Sequence, residues 1–435
     1  MNMKTSRILA VCLLALPVTA KLSFAQVAQP DVRIVARSGG YTLMRNGQPF
    51  FIKGAGGGPQ YLDEAVAAGA NSIREWSVDE VALEHVRQQG MTALVGLALG
   101  IPRQGFDYLD TAAVQKQFEK TIAVVHRLKS NPAVLIWALG NEVELGANDQ
   151  QRLPAWKALE QLARAVKRED PAHPVIIVLA GPGKNKLQEL DQYCPSLDAV
   201  GINTYGGIVS LPETVAAQGF RRPYIVTEFG PRGHWEVAKT AWGMPIEDTS
   251  SEKAALIDKG YEHAIAHQPQ CLGSYVFLWG QKQEKTQTWY GLFLDDGAHV
   301  AGVDTMQHLW TGKWPAHRAP VIDGTIVAKA QDADAQGAQD VFRPGTRVVC
   351  SIKTSDPDGD PITVKWEVRP DVANNRSNGG DFEPPAAPID GAVEQQDGQS
   401  AVIRVPENAG DYRVFAYVRN QYKAAATANL PIEAK

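Results

Sequence analysis

One stretch limits what this 435-residue chain can fold into more than any other: Ala133-Val134-Leu135-Ile136-Trp137-Ala138-Leu139-Gly140-Asn141-Glu142. It is apolar without alternation, so the strand it forms needs cover on both faces, as in parallel sheets flanked by helices. It stops abruptly at Asn141-Glu142. A carboxylate where a buried strand surfaces is costly to desolvate unless something pairs it or uses it. Tyr224-Ile225-Val226-Thr227-Glu228-Phe229-Gly230 repeats the design. Two buried strands, each ending in glutamate, point to two carboxylates meeting over one end of a sheet or barrel.

The surrounding chain alternates in step with that reading. Buried strands are predicted at Phe50–Gly54, Asn71–Trp76, Met91–Leu99, the opening stretch, Pro174–Ala180, Leu197–Asn203, the run ending at Glu228, and Leu272–Trp279. Helical periodicity follows each, at Tyr61–Ala68, Val78–Gln89, Thr111–Lys129, Leu153–Arg168, Lys184–Tyr193, Leu211–Gln218, Glu252–Ala266 and Val303–Leu309. In Thr111–Lys129 the apolar positions Val114, Phe118, Ile122, Val125 and Leu128 form one stripe. Eight strand–helix units predict an α/β fold, a (β/α)8 barrel over residues 32–318. A doubly wound open sheet is the alternative, but Gly54-Ala55-Gly56-Gly57-Gly58 lacks the spacing of a dinucleotide or phosphate loop. Before the barrel, Gly39-Gly40 and Asn46-Gly47 mark the turns of a hairpin.

After Trp314-Pro315 the pattern changes. Residues 319–435 carry short alternating segments at Thr346–Lys353, Ile362–Val368, Ser400–Val405, Tyr412–Arg419 and Ala425–Ile432, which predicts a small all-β sandwich of immunoglobulin-like type. Ala330–Gln339 reads as a loop. Ser355-Asp356-Pro357-Asp358-Gly359-Asp360-Pro361 is read as a tight acidic turn, with calcium binding as the alternative; Pro361 stands where an EF-hand needs glycine.

The N-terminus has Lys4 and Arg7, an apolar run from Ile8 to Leu16, and small residues up to Ala25. This is the pattern of a secretory signal peptide over residues 1–25, with cleavage after Ala25 or Ala20. The expected mature protein is periplasmic or secreted, with no membrane insertion after cleavage. Loss of Lys4, Arg7 and Lys21 takes the net charge from −5 to −8, and no basic block suits a nucleic-acid partner. Cys194, Cys271 and Cys350 would remain; three buried free thiols are the preferred expectation, and Cys194–Cys271 is the favoured pair if a disulfide forms. No Cys/His spacing resembles a zinc site, no cofactor is implied, and nothing assigns an oligomeric state.

Catalytic groups of such barrels lie at the C-terminal ends of the strands. Those ends carry Arg74, Asn141, Glu142, Asn203, Tyr205, Glu228 and Trp279. Paired carboxylates suit glycoside hydrolysis with retention: Glu228 as nucleophile, Glu142 as acid and then base. Arg74 and Tyr205 would hold Glu228 ionised, Asn141 would meet the sugar 2-hydroxyl, Asn203 would stand beside them, and Trp279 would face the ring. Trp76, Trp235 and Trp289 are further candidates for sugar contacts, and each is equally good core material. Glu144 ranks below Glu142 as the acid.

With these residues in view, the chain resembles the clan A glycoside hydrolases, and most of all the catalytic barrel of glycoside hydrolase family 2. Trp137-Ala138-Leu139-Gly140-Asn141-Glu142 resembles that family's acid/base strand, and Val226-Thr227-Glu228-Phe229-Gly230 its nucleophile strand. Arg74 and Trp279 match the clan's residues after strands two and eight. The resemblance implies a metal-independent hydrolase acting on an oligo- or polysaccharide. Two departures affect the substrate. Family members carry sugar-binding domains before the barrel, whereas little precedes Val32 here, and Ile73-Arg74-Glu75-Trp76-Ser77 lacks the family's histidine. An open cleft for a β-glucan is therefore expected. The alternatives are a transglycosylase using the same residues and a non-catalytic glycan-binding protein.

Overall fold

The computed structural model describes residues 31–435 apart from 78, 184, 333–336, 338, 372–379 and 381–382. The leader expected at residues 1–25 lies outside the described residues. No helix among the described residues is long and apolar enough to cross a membrane.

Eight parallel strands close into a barrel: β1 (Ile52–Gly56), β2 (Ser72–Glu75), β3 (Thr92–Leu97), β4 (Val134–Leu139), β5 (Val175–Ala180), β6 (Ala199–Asn203), β7 (Tyr224–Phe229) and β8 (Cys271–Phe277). β8 pairs with β1 through Gly273–Ile52 to Phe277–Gly56, which completes the ring. All six residues of β4 are buried, as its unbroken apolar run requires. Helices cover the outside, and their starts are set by side-chain caps. Asp110 caps Thr111–Leu128, and Asn148 caps Asp149–Glu169. That second cap starts the helix one turn before the expected Leu153. Thr249 and Glu252 form a reciprocal capping box on Ser250–Tyr261.

The N-terminal hairpin, Val32–Arg37 with Gly40–Arg45, closes the bottom of the barrel. Val32 and Leu43 pack on the inward side chains Leu94, Ile136, Ile176 and Ile225. Backbone bonds from Val32 to Ala172 and from Tyr41 to Pro269 fix the hairpin to the segments that enter β5 and β8. Among the described residues that end is filled, and the opposite end of the barrel is the open one.

The C-terminal region forms two β-sheets. One orders Val321–Ala330, Arg347–Ser355, Ser400–Arg404 and Val393–Asp397. The other orders Ala424–Ala434, Gly410–Arg419 and Thr363–Pro370, with Val341–Phe342 also on Ala424–Ala434. Their shared core includes Ile322, Val348, Trp366, Ile403, Val414 and Ile432. Sequence reasoning missed Val321–Ala330. Its alternation is broken between Asp323 and Val327, where the register shifts, and Gly324 sits there at φ +79°.

Sandwich and barrel interlock. His299–Val300, from the barrel, adds a parallel strand to the second sheet at Ala424–Ala425. The acidic turn sits on the junction. Asp358 pairs with Arg318, Asp360 with His317, and the Asp356 carboxylate accepts the backbone N–H groups of Asp358 and Asp360. These acids are thus occupied as in a structural turn. The three cysteines are buried free thiols. This is the preferred of the two expected states, and Cys194–Cys271 do not pair: Cys194 Sγ donates to the Trp156 carbonyl, and Cys271 Sγ to that of Gly273. Burial pushes both thiols up to about 12.

Candidate active site

At the C-terminal end of the barrel lies a cleft of about 750 Å³. Its lining includes Trp76, Asn141, Glu142, Asn203, Tyr205, Glu228 and Trp235. Arg74 lies just beneath, 1% exposed.

Glu228 is the last but one residue of β7. Its Oε1 accepts from Arg74 (2.8 Å) and from the Trp76 indole (3.0 Å), and its Oε2 accepts from the Tyr205 hydroxyl (2.6 Å). Three donors, one of them a buried guanidinium, fix the position of both carboxylate oxygens. Arg74 also donates to the Thr227 carbonyl (2.7 Å) and to Asn141 Oδ1 (2.6 Å), and its guanidinium lies 4.7 Å from the centre of the Trp76 ring. Burial first, and then the charge on Glu228, raise the Tyr205 hydroxyl well above the phenol range, so Tyr205 keeps its proton and donates it.

Glu142 is supplied differently. Beyond β4 the chain turns at Gly140 (φ +68°), where a Cβ would fall 2.3 Å from Val143. Glu142 follows with φ +55°, a left-handed conformation unfavourable for glutamate, and its N–H bonds the Val178 carbonyl at 2.9 Å. The turn aims the side chain over the barrel mouth. Its one hydrogen-bond donor is Asn203 Nδ2, at 2.9 Å. Burial, then the charge of Glu228, push its carboxyl up to about 7, against the smaller opposing effect of Asn203. One carboxylate is thus held by three donors, while its neighbour, raised to about 7, can carry a proton up to neutral pH, an inequality that suits acid-assisted nucleophilic displacement.

Asn203 joins the two. It donates to Glu142 and to Asn141 Oδ1 (3.1 Å), and its own Oδ1 accepts from the Thr227 hydroxyl (2.8 Å). Asn141 Oδ1 is occupied by Arg74 and Asn203, leaving its amide N–H groups to meet a ligand. Glu144 turns away to Lys186 (2.7 Å) and the Ala180 N–H (2.8 Å).

Two expected residues lie elsewhere. Trp279 is 2% exposed; its indole donates to the Tyr61 carbonyl and its ring packs on Phe293 and Trp310. β8 stops at Phe277, two residues sooner than predicted, and the Trp279 N–H bonds Gly56, so the ring sits in the barrel wall. Trp289, 1% exposed, donates to the Arg232 carbonyl inside the loop packing. In their place Phe277, Leu278 and Tyr290 line the cleft, together with Arg103, Lys282 and Glu284. Phe277 was within reach of the strand's two-residue period, since Tyr275 on the same face bonds Ser72 inside the barrel. The loop residues carried no such signal. Trp235 is 56% exposed at the mouth, edge-on to Tyr205.

Residues 76–306, just over half of the chain, match the family described as glycosyl hydrolases family 2, TIM barrel domain. No curated protein matches the chain. Similar solved structures include the β-D-glucuronidase of Dictyoglomus thermophilum, with 19% identity, a TM-score of 0.50, and coverage of 66% of this chain and 54% of that one. The β-galacturonidase of Eisenbergiella tayi bound to galacturonate has 17% identity and a TM-score of 0.50, over 65% and 55%. The β-glucuronidase of Bifidobacterium dentium complexed with coumarin-3-O-glucuronide has 17% identity and a TM-score of 0.53, over 65% and 49%. At these identities the likeness is one of fold, and the chain spans about half the length of the structures it matches.

Proposed function

Because this chain belongs to glycosyl hydrolase family 2, we propose that it is a secreted retaining β-glycoside hydrolase acting by double displacement. The observation that carries the reading is the unequal supply of hydrogen bonds to two neighbouring carboxylates, three donors for Glu228 and one for Glu142. Glu228 attacks the anomeric carbon while Glu142 protonates the departing oxygen, and a glycosyl ester forms on Glu228. Burial and the Glu228 charge both raise Glu142; esterification removes the second, so its pKa falls and it accepts the proton of the incoming water. Arg74, Trp76 and Tyr205 keep Glu228 aimed. Asn141 donates to the sugar 2-hydroxyl. The expected substrate is a β-glucan or a β-linked oligosaccharide; the similar solved structures described above are uronidases.

A second reading, transfer of the glycosyl group to a sugar acceptor by the same residues, draws support from Trp235. Its exposed face at the cleft mouth suits stacking of a further sugar ring. The test is product release from a panel of β-linked glucans, mannans and galactans by wild type and Glu228→Ala. Turnover lost in the variant supports the mechanism, and product lengths separate hydrolysis from transfer. Equal glycan binding by both proteins without turnover would instead favour a non-catalytic glycan-binding protein.

A further inference from the structure

The cleft holds a second ionic arrangement that the double displacement leaves unused. Lys282 and Glu284, on the loop after β8, both face it. Lys282 Nζ lies 2.6 Å from Glu284 Oε2, and His234 Nε2 lies 3.6 Å from Oε1. The Glu284 side chain is 6% exposed, as shut in as that of Glu228 at 7%. Burial alone would neutralise it, but His234 and Lys282 outweigh burial and hold its carboxyl below the ordinary range. A buried charge kept ionised on a cleft wall is costly to assemble, so it is a functional candidate on physical grounds.

The pair is also built rigidly. Glu284 and Thr286 exchange both backbone hydrogen bonds, at 3.1 and 2.7 Å. The Thr286 hydroxyl donates to buried Glu247, and the Lys285 N–H donates to Glu383 of the sandwich at 2.6 Å. Tyr290 is close enough to Glu284 that, after burial, this charge is the largest influence raising its hydroxyl pKa. Tyr290 and Phe277 pack together at 5.8 Å, and Phe277 packs against Trp76 at 5.8 Å, beside Glu228. The ion pair therefore borders the aromatic wall beside Glu228, where the proposed mechanism puts the sugar under attack.

We propose that Lys282 and Glu284 read adjacent hydroxyls of that sugar, Lys282 donating to one oxygen and Glu284 accepting the O–H of its neighbour, and that the sugar is accordingly neutral. The proposal rests on the glycosidase reading and adds the substrate class to it. A side-by-side donor and acceptor match a vicinal diol. A uronate carboxylate would meet the Glu284 charge, while Lys282 is already neutralised.

The experiment compares wild type with Glu284→Gln on nitrophenyl β-glycosides of neutral hexoses and pentoses, on the corresponding uronides, and on the monodeoxy series of the best neutral substrate. Wild type is expected to favour neutral glycosides. The variant should lose about 10- to 100-fold in kcat/KM on them, and one monodeoxy substrate should lose that same factor in wild type but nothing further in the variant. A wild type that prefers uronides, or deoxy losses additive with the substitution, overturns the proposal. If no glycoside turns over, calorimetry with methyl β-glycosides decides. Neutral sugars bound more weakly by Glu284→Gln keep the proposal while the hydrolase reading fails. Equal binding, or none, ends it.

Discussion

Glu228 at the barrel mouth and Glu247 at the junction with the sandwich are equally shut away from water, each 5% exposed. Glu247 accepts from four donors: Lys253 (2.5 Å), Thr288 (2.9 Å), Thr286 (2.5 Å) and Asn429 (2.6 Å). Burial pushes its carboxyl up, but Lys253 and the hydroxyls outweigh that and leave it below the ordinary range. The catalytic-face cluster shares its donors unevenly, and Glu142 is left with one donor and a carboxyl near 7. The difference teaches how to find the carboxylate that carries a proton. A fully supplied one, whether it ties elements together as Glu247 does or is held in place as Glu228 is, keeps one state, and an under-supplied one beside a like charge can change protonation state.

The sharpest way to break this comparison is Glu228→Ala. It should cost at least about 10⁴-fold in kcat on the best glycoside and, because it leaves Arg74 buried without its carboxylate, should also lower the unfolding midpoint; a loss in kcat below tenfold would remove Glu228 from the chemistry. Glu142→Gln should cost about 10²- to 10⁴-fold in kcat where the leaving group needs protonation, and far less with a nitrophenolate leaving group. At the junction, Glu247→Ala leaves Lys253 buried and unpaired, so urea unfolding at pH 7 should show a loss of about 3–5 kcal/mol. An unchanged midpoint would mean that the cluster does not join the domains.

The pH dependences should run in opposite directions. The proposed mechanism requires protonated Glu142, so kcat/KM should fall as pH rises through about 7, and Glu142→Gln should abolish that limb. For stability, Glu142 has a folded-state pKa above its unfolded value, so its contribution is full below the unfolded value of 4.5 and lost as pH rises through about 7. Glu142→Gln should therefore stabilise the protein at pH 8, by about 1 kcal/mol, and not at pH 4. Glu247 is depressed. Its stabilisation is present above the ordinary carboxylate range and lost as pH falls through its lowered pKa. Thermal melts of wild type, Glu142→Gln and Glu247→Gln across pH check both signs.

Much of this was legible in the chain order. Buried strands show as unbroken apolar runs, so the eight barrel strands could be placed within a few residues, and the residues at their ends followed. Arg74, Asn141, Glu142, Asn203, Tyr205 and Glu228 stand together because each lies at, or just past, the end of a strand, where local geometry decides which way a side chain points. Tryptophan was the ambiguous residue. Trp76 reaches Glu228, Trp235 stands at the mouth, and Trp279 and Trp289 are core, yet all four have the same side chain and comparable neighbours in sequence. The sandwich strand Val321–Ala330 was hidden by its irregular register.

By itself, then, the sequence determined the barrel, the sandwich and the pair of glutamates, because burial periodicity and strand ends are properties of neighbouring residues. Only the tertiary structure decided which loop residues enter the cleft. Lys282, Glu284 and Tyr290 are placed by a loop held between barrel and sandwich through Thr286–Glu247 and Lys285–Glu383. Those contacts join residues about 40 and 100 positions apart, and a loop has no periodicity of its own from which its side-chain directions could be read.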